Sequence, residues 1–227
     1  MQKTVLEIAC FNIQSAIVAQ AAGADRIELC RDYMVGGLTP LKEDILSAKE
    51  QLHLPFFVMV RCREGNFVYN EEEINEMCNM VLYCKNLGVQ GIVFGALTAN
   101  NHIDLNACKK IVEAAGPMQI TFHRAIDACV NANEGIEEII SLGFTRVLSS
   151  GLQKNALLGS KQLNEWRHRC QNKLGILAGG GIRAANIGAI RSQTACTEFH
   201  SAAITSNALC CDADEIKNMK QVLSQHD

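Results

Sequence analysis

The chain has 227 residues, of which 48% are hydrophobic and 20% are charged, and its formal net charge is -3 at pH 7. This composition is typical of a folded globular protein that is long enough to bury a core. The slight negative charge argues against binding to nucleic acid or to an anionic membrane, both of which favour clustered Lys and Arg. Small-molecule chemistry is therefore the expected class of function.

No stretch of the sequence approaches the roughly 18 consecutive apolar residues of a membrane-spanning helix. The opening "MQKTVLEIAC" also lacks the apolar run of a signal peptide, so we expect a cytoplasmic protein. The 11 cysteines are scattered and contain no C-x-x-C pair. Their odd number and spacing disfavour a disulfide framework or a zinc knuckle, and most are expected to be small buried apolar residues.

Eight short apolar runs alternate with longer amphipathic segments. In chain order the runs are "VLEIA", "RIEL", "FFVMVR", "GIVF", "QITFH", "RVLSS", "GILAG" and "TEFHS". One amphipathic segment spans 71–87, and glycines at 23, 88, 116 and 143 stand just before the next strand, as helix-capping glycines do. This alternation predicts a single-domain TIM-type (β/α)8 barrel over 1–227.

An open Rossmann-type sheet is the structural alternative to the barrel. That fold would place a G-x-G-x-x-G turn directly after the first strand, where this chain has "CFNIQSA". The last helix, expected near 212–224, is short and polar, so whether the eighth unit closes the barrel stays open at this point. The longest irregular loop is expected at 31–41, after the second strand.

Ionisable residues occur in or directly after the predicted strands. Because side chains alternate along a strand, one parity directs them into the lumen. The residues with that parity are Glu7, Glu28, Cys30, Arg61, Arg63, Thr121, His123, Glu198 and His200. Most are expected near the carboxyl ends of the strands, where barrels of this type have their active sites. A purely structural alternative is a buried ion pair between Glu28 and Arg61, with His123 as an ordinary core histidine. The remaining histidines, 53, 102, 168 and 226, are expected on the surface.

Three glycines, Gly179, Gly180 and Gly181, follow the seventh strand in "LAGGGIR". Unobstructed backbone N–H groups at the start of a helix can bind an anion, although a tight turn alone would also favour glycine. In an enzymatic interpretation these glycines bind a phosphate or carboxylate, and Arg61 and Arg63 clamp its charge. The acid/base or metal-holding residues are then Glu7, Glu28, His123, Glu198 and His200, without an assignment of acid and base.

Several longer motifs together resemble the CutC-type copper homeostasis family. They are "GADRIELC…GGLTP", "MVRCREGNFVY", "GIVFGALT", "TFHRAID", "LGFTRVLSSG", "AGGGI" and "EFHSAA", and they extend from Leu6 to Ala203. The resemblance implies a cytoplasmic TIM-type barrel that self-associates and binds or handles copper. It implies that Cys30, in "IELC", is a copper-binding position. Cys62 stands where the family usually has proline, and "IACFN" departs from the family pattern at the end of the first strand.

Two hypotheses of function follow. Copper homeostasis is the function that the resemblance implies, although Cu(I) prefers two or three soft ligands and this lumen offers one thiol, with Met34 on the next loop. Carboxylates, arginines, histidines and a glycine run instead describe a site for a small anionic metabolite with acid/base groups beside it. The alternative is therefore a TIM-barrel enzyme of unknown reaction on a phosphate- or carboxylate-bearing substrate.

Overall fold

The computed structural model describes residues 4–206 and 209–225, and its eight parallel strands close into one barrel in chain order. The strands are β1 (Val5–Cys10), β2 (Arg26–Leu29), β3 (Phe56–Met59), β4 (Gly91–Phe94), β5 (Gln119–Phe122), β6 (Arg146–Ser149), β7 (Gly175–Ala178) and β8 (Glu198–Ser201). The helices are α1 (Ile13–Ala21), α2 (Lys42–Gln51), α3 (Glu71–Asn86), α4 (Leu105–Ala115), α5 (Ala132–Leu142), α6 (Ser160–Cys170), α7 (Ala184–Thr194) and α8 (Ala213–Ser224). The predicted (β/α)8 barrel is confirmed.

The eighth unit completes the barrel. β1 pairs in parallel with β8, and Val5 lies opposite Glu198 while Glu7 lies opposite His200. α8 packs against α1 and α7 and buries Ile216, Met219 and Leu223. The expectation of a short last helix is wrong, because α8 has 12 residues and only α3, with 16, is longer among the described helices.

The longest predicted helix begins and ends where its sequence dictates. The Asn70 side chain accepts a hydrogen bond from the Glu73 backbone N–H, and the Glu73 carboxylate accepts one from the Asn70 backbone, so α3 starts with a capping box. Gly88, at φ +68°, follows the helix in the left-handed region that glycine tolerates. Between these ends, α3 buries Ile74, Met77, Val81 and Cys84 in the apolar core.

The apolar core lies between the strands and the helices. Leu6 and Ile8 of β1 belong to this core, while Glu7 between them points to the lumen, and all three are fully buried. The same alternation around the barrel surrounds a polar lumen with an apolar shell. Among the described residues, no helix combines the length and the apolar character needed to cross a bilayer.

Candidate functional site

An ionic cluster fills the amino-terminal end of the lumen. The Glu198 carboxylate accepts hydrogen bonds from Arg26 Nη2 at 2.6 Å and from Arg146 Nε at 2.9 Å. Both guanidinium groups lie 5.1 Å from the centre of the Phe57 ring. Arg146 also donates to Gln119 Oε1 at 3.0 Å. These residues form a plug in which every charge has a partner.

Glu198 is separated from the mouth of the barrel by this arrangement. Glu198 and His200 were both expected to face the lumen, where most such residues were expected near the carboxyl ends of the strands, but Glu198 is the first residue of β8. Its position opposite Val5 at the start of β1 puts it at the amino-terminal end. The expectation is wrong for Glu198 because parity gives the direction of a side chain but not its depth along the barrel axis.

Glu7 and His200 form the next layer of the lumen. Glu7 is fully buried, accepts a hydrogen bond from Arg26, and has an oxygen 2.8 Å from His200 Nδ1. Above them, the Glu28 carboxylate lies 3.8 Å from His200 Nε2. His200 thus stands between two carboxylates, one of which is already paired with an arginine.

The pKa values in this layer follow from burial and from these neighbours. Burial alone would raise the pKa of Glu7, but Arg26 and His200 outweigh it and hold this pKa well below its usual range. Burial raises the pKa of Glu28, with the charge of Glu7 adding to the effect and that of His200 opposing it. Burial disfavours the charged form of His200, yet Glu28 and Glu7 raise its pKa. Glu7 is therefore ionised, whereas Glu28 and His200 compete for a proton.

Cys30 adjoins this layer, but its side chain is buried among apolar residues. Its thiol donates to Glu28 Oε2 at 3.3 Å and packs with Phe57, Met59 and Val93. Burial, together with the nearby Glu28, raises its pKa well above the usual value. Cys30 is consequently a protonated thiol in an apolar pocket, next to one potential metal ligand.

Arg61 is the buried cation at the mouth. Its Nη1 donates to the carbonyls of Val35 at 2.8 Å and Gly37 at 3.2 Å, and its Nη2 donates to Gly65 at 2.9 Å. No carboxylate within the described ranges forms an ion pair with Arg61, so the alternative of a Glu28–Arg61 pair is not realised. At 5% exposure this guanidinium carries a positive charge that the protein leaves unbalanced.

His123 lies beside Arg61, at the end of β5. Its Nδ1 accepts a hydrogen bond from the Ala125 backbone N–H at 3.1 Å. Burial lowers its pKa to about 3, and the charge of Arg61 contributes to the same shift. The ring is therefore neutral at physiological pH, with its proton on Nε2.

The glycine run forms a turn between β7 and α7. Gly180 at φ +98° and Gly181 at φ +73° adopt backbone conformations that suit glycine, and both line the mouth. Gly179 does not line it, and a Cβ there would lie 2.4 Å from Leu148 Cδ1. The run thus combines a packing requirement at its first glycine with exposed backbone at the other two.

Two arginines at this site were missed by the sequence analysis. Arg124 donates to Ser150 Oγ at 2.9 Å and pairs with Asp127, and Arg183 donates to Ser201 Oγ at 3.1 Å. Both line the mouth. The signal was present, because each follows directly on a motif used above, "TFH" and "GGGI". Neither arginine lies in a strand, so the alternation of side chains along the strands could not indicate their direction.

Arg63 does not reach the lumen. Its Nε donates to Glu73 Oε1 at 2.5 Å on the outside of the barrel, and its guanidinium stacks on Tyr69. The expectation of an inward side chain is wrong because β3 ends at Met59. Val60 still bonds to Val93 of β4, which extends the alternation as far as Arg61 and no further.

The other sequence candidates lie away from the mouth or deeper in the lumen. His53, His102 and His168 are exposed, as expected, and His226 lies outside the described residues. Met34 is 85% exposed on the loop after β2, so its thioether does not point into the lumen. Thr121 is buried and accepts a hydrogen bond from Arg146 at 3.4 Å.

A cavity of about 540 Å³ opens between these groups at the carboxyl ends of the strands. This is the size and the place of ligand sites in barrels of this type. The lining residues that carry polar chemistry are Glu28, Arg61, His123, Arg124, Gly180, Gly181, Arg183, His200 and Ser201. Acid/base groups thus face a mainly cationic wall.

Comparison with known proteins identifies relatives over nearly the whole chain. The CutC family matches residues 4–205. A CutC family protein from Pasteurella multocida is 40% identical over 195 residues, which cover 86% of this chain and 80% of the relative. One from Photorhabdus laumondii is 42% identical over 200 residues, which cover 88% of this chain and 80% of the relative.

Solved structures give the same result. A Streptococcus agalactiae protein, provisionally named a copper homeostasis protein CutC, superposes with a TM-score of 0.84 at 31% identity, covering 88% of this chain and 98% of that one. Phosphoribosyl anthranilate isomerase from Thermotoga maritima reaches a TM-score of 0.65 at 13% identity, covering 98% of this chain and 99% of that one. The second likeness concerns the barrel fold alone.

Proposed function

Since the chain belongs to the CutC family, we propose that it takes part in copper handling, the role for which its streptococcal relative is provisionally named. Copper is the cargo in this proposal. We also propose, as the resemblance implies, that the protein is cytoplasmic and that it self-associates. Light scattering on the purified protein tests the self-association.

The observation that carries the copper proposal is a group of three potential ligands. Glu7, Glu28 and His200 each offer one ligand atom, and these atoms all lie within 4.8 Å of one another. Glu28 has a second oxygen that is buried and without a hydrogen-bond partner. Carboxylate and imidazole donors suit Cu(II) and other divalent ions better than Cu(I).

Cys30 has a secondary role in this proposal. Its thiol lies 3.3 Å from Glu28, so it adjoins the three ligands. A thiol coordinates a metal only after losing its proton, and burial and Glu28 raise the pKa of Cys30 well above the usual value. We therefore expect the carboxylates and His200 to dominate copper binding.

Copper titration of the purified protein tests this assignment. We expect Cu(II) to bind stoichiometrically in the presence of a competing chelator, with binding lost in Glu28→Gln and retained in Cys30→Ser. The exposed His53→Gln variant is the control. Cu(I) binding that disappears in Cys30→Ser would move the site to the cysteine, and no binding of either ion would reject the copper proposal.

Arg61 favours a second candidate function, an enzyme acting on a small anionic metabolite. A buried guanidinium without a carboxylate partner is costly, because its desolvation is not repaid by an opposite charge. An anionic substrate in the cavity would supply that charge, and Gly180, Gly181 and Arg183 lie on the same cavity wall.

The adjacent groups fit proton transfer on such a substrate. Glu28 has a raised pKa and a neighbour, His200, with which it competes for a proton. In this candidate function the ionised Glu28 takes a proton from the bound substrate and becomes neutral, and protonated His200 stabilises the negative charge left on the substrate.

A metabolite-library screen, run with and without divalent metals, tests the enzymatic candidate. We expect turnover of an anionic compound that is abolished in Glu28→Gln and preserved in Arg63→Lys, which alters an arginine outside the cavity. Turnover that persists in Glu28→Gln, or a screen without turnover, would reject it.

A further inference from the structure

Three residues that line the cavity each carry a buried polar atom without a hydrogen-bond partner. Among the described residues, four buried side-chain nitrogen or oxygen atoms lack a partner, and three of them belong to residues that line it: Glu28 Oε1, Arg61 Nε and His123 Nε2. Folded proteins rarely leave such atoms unpaired, because burying them costs hydrogen bonds to water. Their concentration at one place indicates that a ligand completes them.

The chemistry of each atom is fixed by its surroundings. Arg61 Nε is a donor in every protonation state. His123 Nε2 is also a donor, because Nδ1 accepts the Ala125 N–H and the proton of the neutral ring must therefore be on Nε2. Glu28 Oε1 is an acceptor whenever this carboxyl is ionised. The wall thus presents two donors and one acceptor.

Phe67 packs against both donors. Its ring centre lies 5.1 Å from the Arg61 guanidinium carbon and 4.8 Å from the centre of the His123 ring. Phe67 is on the loop between β3 and α3, and it lines the cavity as well. The Phe67 ring therefore lies against both donor side chains on the cavity wall.

We propose that the cavity binds a small hydroxy acid or amino acid. Its acidic group accepts hydrogen bonds from Arg61 and His123, and a hydroxyl or amino group a few bonds away donates to Glu28. Arg61 and His123 follow β3 and β5 while Glu28 lies in β2, so the two groups of the ligand are bound by residues of different strands. This inference rests on the enzymatic candidate function and names its substrate class.

Matched ligand pairs test the proposal by calorimetry on the intact protein. We expect at least one of lactate, glycerate and serine to bind about tenfold more tightly than propionate, which has a carboxylate but no hydroxyl or amino group. Lactate against alanine distinguishes a hydroxyl from an amino group. Equal affinity for propionate and for the best of these compounds would overturn the inference.

Variants identify the groups involved. Arg61→Lys keeps the charge and loses the Nε donor, so we expect it to weaken the best ligand about tenfold, while Arg63→Lys leaves the affinity unchanged. Glu28→Gln should erase the preference over propionate. Turnover of a substrate without a hydroxyl or amino group would reject this inference and leave the enzymatic candidate intact. Absence of both binding and turnover would reject the two together.

Discussion

His123 illustrates how a single buried side chain makes stability depend on pH. The ring is 4% exposed, and its pKa is lowered to about 3 by burial and by Arg61. In the unfolded chain the same ring binds a proton below its ordinary pKa of 6.5. At pH values between these two pKa values, the ring binds a proton in the unfolded chain and not in the native protein, so acid favours unfolding.

We predict that His123→Gln reduces the acid sensitivity of the protein. Relative to this variant, the wild type should lose up to about 1.4 kcal/mol of unfolding free energy per pH unit as the pH falls below 6. Urea denaturation at several pH values measures the difference. An exposed histidine, His102, provides the control, and its replacement by Gln should leave the slope unchanged. Parallel slopes for wild type and His123→Gln would contradict the prediction.

His200 acts in the opposite direction and in another pH range. Burial opposes its charge, but Glu28 and Glu7 raise its pKa above 6.5. Its stabilising contribution is therefore complete below pH 6.5 and is lost as the pH rises through the folded-state value. The two lumen histidines thus give stability a maximum between their pH ranges, because burial and Arg61 lower the pKa of His123 while carboxylate neighbours raise that of His200.

At the scale of an element, the turn between β7 and α7 shows what strand alternation alone cannot reveal. The alternation fixed the expected direction of Glu7, Glu28 and His123, since each lies within a strand or one residue beyond it. The turn has no such periodicity. Its glycines were recognisable, but Arg183 in this turn and Arg124 in the segment after β5 adopt conformations that depend on contacts with Ser201 and Ser150.

We predict that Gly180→Ala weakens anion binding in addition to destabilising the turn. The residue has φ +98°, and an added Cβ would lie 3.0 Å from Ser150 Cβ and 3.6 Å from Arg124 Cζ. The left-handed conformation should cost about 1 to 2 kcal/mol, measured by urea denaturation. Phosphate affinity, measured by calorimetry, should fall with it.

Gly143→Ala is the matched control for this turn. Gly143 has φ +88° and nothing within 4 Å of an added Cβ, and it ends α5 away from the cavity. We expect a similar conformational cost in the control and unchanged phosphate affinity. If both variants bind phosphate equally well, the turn serves the fold and not the ligand.

At the scale of the whole molecule, the fold was predictable because eight repeats of strand and helix leave few alternatives. The depth of each polar residue in the lumen was not. Arg26 and Arg146 begin their strands, where an arginine in a sequence is easily taken for a surface residue, yet both are 7% exposed and neutralise Glu198. Their burial depends on the stagger of strands that closure of the barrel imposes.

This stagger divides the lumen into an end whose charges are paired and an end that we propose binds the ligand. Glu198 pairs with two arginines, and its replacement by Gln leaves Arg146 without a carboxylate partner. Glu28 has no arginine partner in the described part of the chain, and its ionisation is opposed by burial. Removing the charge should therefore destabilise the protein more at Glu198 than at Glu28.

We predict that Glu198→Gln lowers the unfolding free energy by about 2 to 3 kcal/mol, since an uncompensated charge is left at a largely buried site. Glu28→Gln should change it by less than about 1 kcal/mol, because an amide is cheaper to bury than a carboxylate. Ligand and copper binding should respond in the reverse order, lost in Glu28→Gln and retained in Glu198→Gln. Urea denaturation and calorimetry on the same two proteins measure both quantities. A loss of binding in Glu198→Gln, measured without denaturant where the variant is folded, would contradict this division of the lumen. The ionic cluster around Glu198 would then contribute to the site at the opposite end of the barrel.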